Sequence, residues 1–221
     1  MSSSWTTSNV TINTFSKPQQ DQNVRDGALW WNPNTSTVLS FGGEPYNTLT
    51  GTWALTLNSK GSGTWSQVSF SDPKFKTLVR PGYGLRAASS TTGYSMGGMQ
   101  TIFPSDTYWS IPGLITFDFA SQKWSNLSTI GTYSESGMAL YGAGQFVPSF
   151  GSEGVMVMIG GAVPTNSWDK SGALRPMTNI TVFDPSSQGW YSQTATGDIP
   201  MSRRDICIIG VQSSSESTYE M

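Results

Sequence analysis

Apolar residues in this chain fall in short bursts broken by Gly, Asn, Asp and Ser, and no stretch carries the periodicity of an amphipathic helix. The bursts recur in a fixed order. An apolar run closes on a Gly-Gly pair three times, at 38–43 (VLSFGG), 93–98 (GYSMGG) and 155–161 (VMVMIGG); the second glycines lie 55 and 63 residues apart. A further run closing on a turn follows each pair, at 52–58 (TWALTLN), 114–119 (LITFDF) and 180–185 (ITVFDP). Tryptophan comes next: Trp65, Trp124 and Trp190, with Trp5 in the same slot, at spacings of 60, 59 and 66. Asp118 and Asp184 each precede their tryptophan by six residues. Each unit opens on another run, at 27–31 (GALWW), 85–90 (LRAASS), 137–144 (GMALYGAG) and 205–211 (DICIIGV). Four strand-like runs per unit, separated by turn formers, predict a four-stranded antiparallel meander.

A meander of about 60 residues cannot bury both faces alone, whereas several set around an axis bury them against one another. The expected fold is all-β: a β-propeller segment of about three complete four-stranded blades, with partial blades at both ends. The blades are expected at 25–72, 80–130 and 135–197, with 1–20 as the last strand of a preceding blade and linker, and 203–221 as the start of a further blade.

Composition narrows the chemistry. Only 12% of residues are charged, aromatics reach 12%, and glycine numbers 24, a mixture that suits an all-β chain with many turns. A net charge of −2 gives no basic patch, so nucleic acid is not an expected partner. There is no histidine and one cysteine, which excludes His-based metal sites, Ser-His-Asp and Cys-His catalysis, and an internal disulfide framework. The run at 206–211 (ICIIGV) is far too short to span a membrane, and the N-terminus has no signal-peptide pattern. The C-terminal SSSESTYEM carries no closing element, and the chain is expected to be part of something longer.

The doublets, the acidic turns and the tryptophans together resemble the kelch repeat, in units somewhat longer than its usual length of roughly 50 residues. Segments such as 23–35 (NVRDGALWWNPNT) and 121–128 (SQKWSNLS) are similar to fungal secreted or membrane-anchored kelch proteins. In that family the propeller often precedes a single spanning helix. Galactose oxidase and its relatives share the kelch-like propeller and bind copper through two histidines and a tyrosine, with a second tyrosine cross-linked to cysteine. This chain has no histidine to offer, so copper-radical oxidation is not expected of it, and no cofactor is expected either.

Within this frame Gly42, Gly43, Gly97, Gly98, Gly160 and Gly161 are expected where strands leave their blades, as glycine permits positive φ and close approach. Trp65, Trp124 and Trp190 are expected between blades. Asp118 and Asp184 are expected to accept backbone N–H bonds in turns, and Cys207 to be an inert buried thiol. Arg25-Asp26 and Arg204-Asp205 occupy matching places ahead of inner strands, as local salt bridges or as part of a polar ring around the axis. The segments 44–51, 99–113 and 162–178 read as long varied loops on one rim, carrying Glu44, Tyr46, Asp106, Trp109, Trp168, Asp169, Lys170 and Arg175. Aromatics mixed with acids suit a binding surface, with Tyr46, Trp109, Trp168 and Arg175 as its candidates. Sequons at Asn9, Asn34, Asn126 and Asn179 point to an extracytoplasmic protein. The function expected is non-catalytic binding of a protein or glycan, or scaffolding, at the cell surface or in the secretory pathway. Within this segment contact with neither nucleic acid nor membrane is expected, and the remaining blades of the parent propeller are the expected partners. The alternatives are a propeller enzyme with its active centre in other blades, and a cytosolic kelch adaptor.

Overall fold

The computed structural model describes residues 16, 25–44, 52–60, 62–102, 107–213 and 218–221. The first blade contains β1 (Ala28–Asn32), β2 (Thr37–Phe41), β3 (Thr52–Leu57) and β4 (Gly63–Val68), paired in chain order. One helical turn, α1 (Lys74–Thr77), lies in the connection that follows. The second blade starts with β5 (Leu85–Ala88) and β6 (Thr92–Met96). The chain then leaves the sheet as a hairpin, β7 (Met99–Ile102) and β8 (Thr107–Ser110), and returns as β9 (Leu114–Asp118) and β10 (Trp124–Leu127). The third blade repeats that plan. It comprises β11 (Ala143–Val147) and β12 (Val155–Ile159), then a small hairpin, β13 (Ala162–Val163) and β14 (Ala173–Leu174), then β15 (Asn179–Asp184) and β16 (Gly189–Thr194). A last hairpin pairs β17 (Val211–Gln212) with β18 (Tyr219–Glu220). Among the described residues no helix is long and apolar enough to cross a membrane.

The register explains the spacing of the tryptophans. Each blade has one cross-strand row ending in its fourth-strand tryptophan: Trp31–Val38–Leu55–Trp65, Ala88–Gly93–Phe117–Trp124 and Phe146–Met156–Phe183–Trp190. The second row packs against the opposite face of the first blade, where Trp30, Leu39, Phe41 and Ala54 are buried in the same core as Phe117 and Trp124. The third row packs against Leu85, Tyr94, Met96 and Leu114 of the second blade. Each core therefore lies between blades, and a lone meander has none.

The turns into the fourth strands share one construction. Asn58 Oδ1 accepts hydrogen bonds from the amides of Lys60 and Ser62, both at 3.0 Å. Asp118 Oδ1 accepts from the Ser121 amide and hydroxyl at 2.7 Å, and Asp184 Oδ1 from those of Ser186 at 2.9 Å. The bonds to Asp118, the Ser121 hydroxyl's foremost, and those to Asp184, led by the Ser187 hydroxyl, hold both carboxyls below the usual aspartate value.

The Gly-Gly doublets are the joints between blades. All six glycines have positive φ, from 61° to 109°. The amide of the second glycine donates to the next blade: Gly43 to the Pro81 carbonyl (3.2 Å), Gly98 to Ala139 (2.8 Å) and Gly161 to Arg203 (2.9 Å). A Cβ on Gly42 or Gly97 would run into the carbonyl oxygen of Pro81 or Ala139. Two residues beyond each acceptor stands a non-glycine residue that itself has positive φ: Tyr83 (60°), Tyr141 (57°) and Asp205 (57°), matching Asp26 (57°) ahead of β1. Their backbones form a relay, with the Tyr83 amide donating to the Asp26 carbonyl (3.0 Å), Tyr141 to Tyr83 (2.8 Å) and Asp205 to Tyr141 (2.8 Å). The inner strands β1, β5 and β11 are neighbours as a result.

Four expectations need correction. The inner strand of the third blade is Ala143–Val147, not 137–144, because residues 138–141 are used in the joint: Met138 bridges Pro112 and Leu140 bridges Ala162. Within 205–211 only Val211 belongs to a strand, since among the described residues only β18 pairs with this stretch. Cys207 is consequently exposed rather than buried. The segments 99–113 and 162–178 do not run as plain loops: each carries a hairpin ladder, of four residue pairs in the first and two in the second.

Candidate binding rim

The hairpins of the second and third blades meet. The Ser110 amide at the end of β8 donates to the Ser167 carbonyl (2.7 Å), and its hydroxyl donates to the Asp169 carbonyl (2.8 Å). Ser110 is fully buried, so the donors of both bonds are shielded from water. Lys170 Nζ sits 4.7 Å from the centre of the Tyr108 ring. Next to this seam the indoles of Trp109 and Trp168 stack at 5.9 Å with planes 20° apart, and they remain 44% and 66% exposed.

Asp169 organises the segment that carries Trp168. One carboxylate oxygen accepts the amides of Gly172 (2.8 Å) and Ser171 (3.1 Å) and the Ser171 hydroxyl, while the other accepts the Thr165 amide (3.1 Å). The Gly172 and Thr165 amides above all lower its pKa to about 2, so it is ionised at any physiological pH. Asn166 Oδ1 accepts the Trp168 amide at 3.0 Å. The ring is thus presented from a braced turn.

Alongside runs a polar belt that crosses the blades. Glu44, buried directly after the first doublet, accepts hydrogen bonds from the Tyr83 hydroxyl (2.5 Å), the Thr101 hydroxyl on β7 and Arg25 Nη2 (3.3 Å). Burial works against its ionisation, but the bonds from Thr101 and Tyr83 and the Arg25 charge outweigh this and hold its pKa below the ordinary glutamate value. Burial and the bond to Glu44 push the Tyr83 phenol upward, and burial raises Tyr141, so both remain protonated donors at neutral pH. The two rings meet edge-on at 5.2 Å, and the Tyr141 hydroxyl donates to the Lys170 carbonyl at 3.2 Å. The belt thereby connects the joint to the rim.

The sequence candidates divide accordingly. Trp109 and Trp168 come together on the rim. Arg175 does not join them: it is buried, its guanidinium lies 3.9 Å over the Tyr133 ring, and it donates to the Asn179 carbonyl (3.0 Å) and the Thr181 hydroxyl (2.6 Å). Tyr46, Asp106, Trp5 and Asn9 lie outside the described residues. Trp124 is fully buried, whereas Trp65 and Trp190 are half-buried. Arg204 pairs locally with Asp205 (3.4 Å), but Arg25 reaches Glu44 instead of Asp26. Asn34, Asn126 and Asn179 are exposed. Sequence reasoning missed Thr101, Tyr83, Tyr108 and Tyr141. For two of them a signal existed: Tyr83-Gly84 and Tyr141-Gly142 echo Asp26-Gly27 at the pitch of the blades.

No family model matches the chain, and no curated protein sequence does. Among solved structures, that of YjhT, a kelch-type β-propeller protein, matches with a TM-score of 0.52 at 13% identity, over 81% of this chain. The match covers 54% of YjhT, so the chain spans about half of that protein's length. At such identity the likeness concerns fold alone. On sheet order, joints and structural likeness together, the fold is an array of β-propeller blades.

Proposed function

We propose that this chain is a kelch-type propeller module whose task is non-catalytic binding, carried out by the composite rim of the second and third blades. The supporting observation is the stacked, exposed Trp109–Trp168 pair, held across two blades by hydrogen bonds from the buried Ser110. Two exposed indoles side by side on a braced support form an apolar patch of the kind a partner covers. The acids nearest the rim support a non-catalytic role: Asp169 is taken up by its own turn and Glu44 by the belt. Exposed sequons at Asn34, Asn126 and Asn179 favour an extracytoplasmic, cell-surface or secretory setting.

The test is binding of the folded chain to a mixed array of glycans and extracellular protein domains, beside a Trp109→Ala/Trp168→Ala double variant. The expected result is at least one strong signal on the array that the double variant loses by tenfold or more, with its far-UV circular dichroism unchanged. Signals that survive the double substitution would place the binding surface elsewhere and refute the proposal.

A further inference from the structure

We infer that the Trp109–Trp168 platform takes the pyranose rings of a neutral glycan; this deepens the binding reading above and rests on it. Size is the first argument. A tryptophan offers up to ~250 Å², so exposures of 44% and 66% leave at most about 275 Å² of the two residues open. A stable protein–protein contact needs ~800 Å² on each partner. The platform is therefore about a third of a protein interface, and it matches one or two sugar rings.

Shape is the second argument. Centroids 5.9 Å apart with planes only 20° from parallel describe an offset stack, which leaves flat indole surface uncovered on each ring. The axial C–H groups of a pyranose carry partial positive charge and lie against the negative face of an aromatic ring. A protein hot spot instead places an anchor in a pocket ringed by dry contacts, and these rings stand proud at the surface.

Surroundings are the third. Asn166 and Ser167 flank Trp168 on the braced turn and supply amide and hydroxyl groups of the kind that bond sugar hydroxyls. The nearest carboxylate, Asp169, already accepts from its own turn, and the Lys170 ammonium lies over the Tyr108 ring, so both charges beside the platform are already engaged within the rim.

The experiment titrates the whole chain with cellohexaose, laminarihexaose, mannohexaose and chitohexaose, following tryptophan fluorescence and the indole N–H resonances. The expected result is that at least one hexasaccharide binds in the micromolar to millimolar range and shifts the Trp109 and Trp168 indole signals. Trp109→Ala and Trp168→Ala should each weaken it at least tenfold, while Trp31→Ala, an exposed indole on β1, leaves it unchanged. Wild-type resonance shifts give a readout that does not depend on the variants folding. No binding by any of the four at millimolar concentration, or binding that moves other indoles only, overturns the inference. If the array meanwhile shows a protein signal lost in the double variant, the glycan assignment alone fails and the rim reading stands. If no signal on the array depends on these two residues, the rim reading has failed as well.

Discussion

Trp124→Ala will destabilise the fold by about 3–5 kcal/mol, the usual cost of truncating a large buried aromatic. For a chain of this size that lowers the melting temperature by roughly 6–20 °C. Trp124 is 2% exposed and sits between the first two blades among Phe117 (4.3 Å), Phe41 (5.0 Å), Phe70 and Phe75 (both 5.1 Å) and Trp30 (6.0 Å). These rings come from both blades and from the connection between them, so the cavity left by alanine cannot close by moving one strand. The Trp124 amide also donates to Asp72 Oδ2 at 2.9 Å, but a side-chain replacement leaves that bond available. The indole Nε1 is buried without a hydrogen-bond partner, so Trp124→Phe forfeits volume alone and should recover more than half of the loss. Thermal unfolding of the two variants checks this. Equal damage from both would mean that the indole nitrogen matters more than the packing.

Gly97→Ala will cost about as much, although it adds only a methyl group. The residue has φ of 63°, where an L side chain is strained by roughly 1–2 kcal/mol. The new Cβ would also meet the Ala139 carbonyl oxygen, and the Ala139 nitrogen at 2.9 Å, both backbone atoms of the next blade. Relief requires the blades to separate, which disturbs the Gly98–Ala139 hydrogen bond beside it. A total of about 3–5 kcal/mol is expected. Gly131→Ala provides the control: φ there is 74°, yet nothing lies within 4 Å of the added carbon. That variant should lose only the backbone part, about 1–2 kcal/mol. Denaturant melts of the pair separate strain from collision, and equal losses would remove the collision from the account.

The sequence shows the joints clearly because they solve one problem repeatedly. Glycine fits a positive-φ crossing against a neighbouring backbone, and the fourth-strand tryptophans end equivalent cross-strand rows, so both recur in register. The acidic turns are legible for the same reason. The rim is less so, because β7–β8 and β13–β14 differ in length and residues and no second copy of either exposes a pattern. The β-favouring residues of 107–109 (TYW) offered a strand signal that loop length obscured. Arg175 misled because a charged residue in a variable segment suggests solvent, whereas Tyr133 and Thr181 give its guanidinium partners inside the blade. Cys207 misled in the opposite direction, since an apolar run becomes a buried strand only where a partner strand exists.

A backbone relay from blade to blade supports a rim whose turn is braced by hydrogen bonds open to solvent, and residue-resolved amide hydrogen exchange tests that division. The relay and doublet amides of Tyr83, Tyr141, Gly98 and Gly161 should be protected as strongly as the central strands β6 and β12, opening only with global unfolding. The amides of Trp168 and Ser171, whose hydrogen bonds are solvent-exposed, should exchange orders of magnitude faster. Fast exchange at Tyr83, Tyr141, Gly98 and Gly161, level with the rim, would contradict the account.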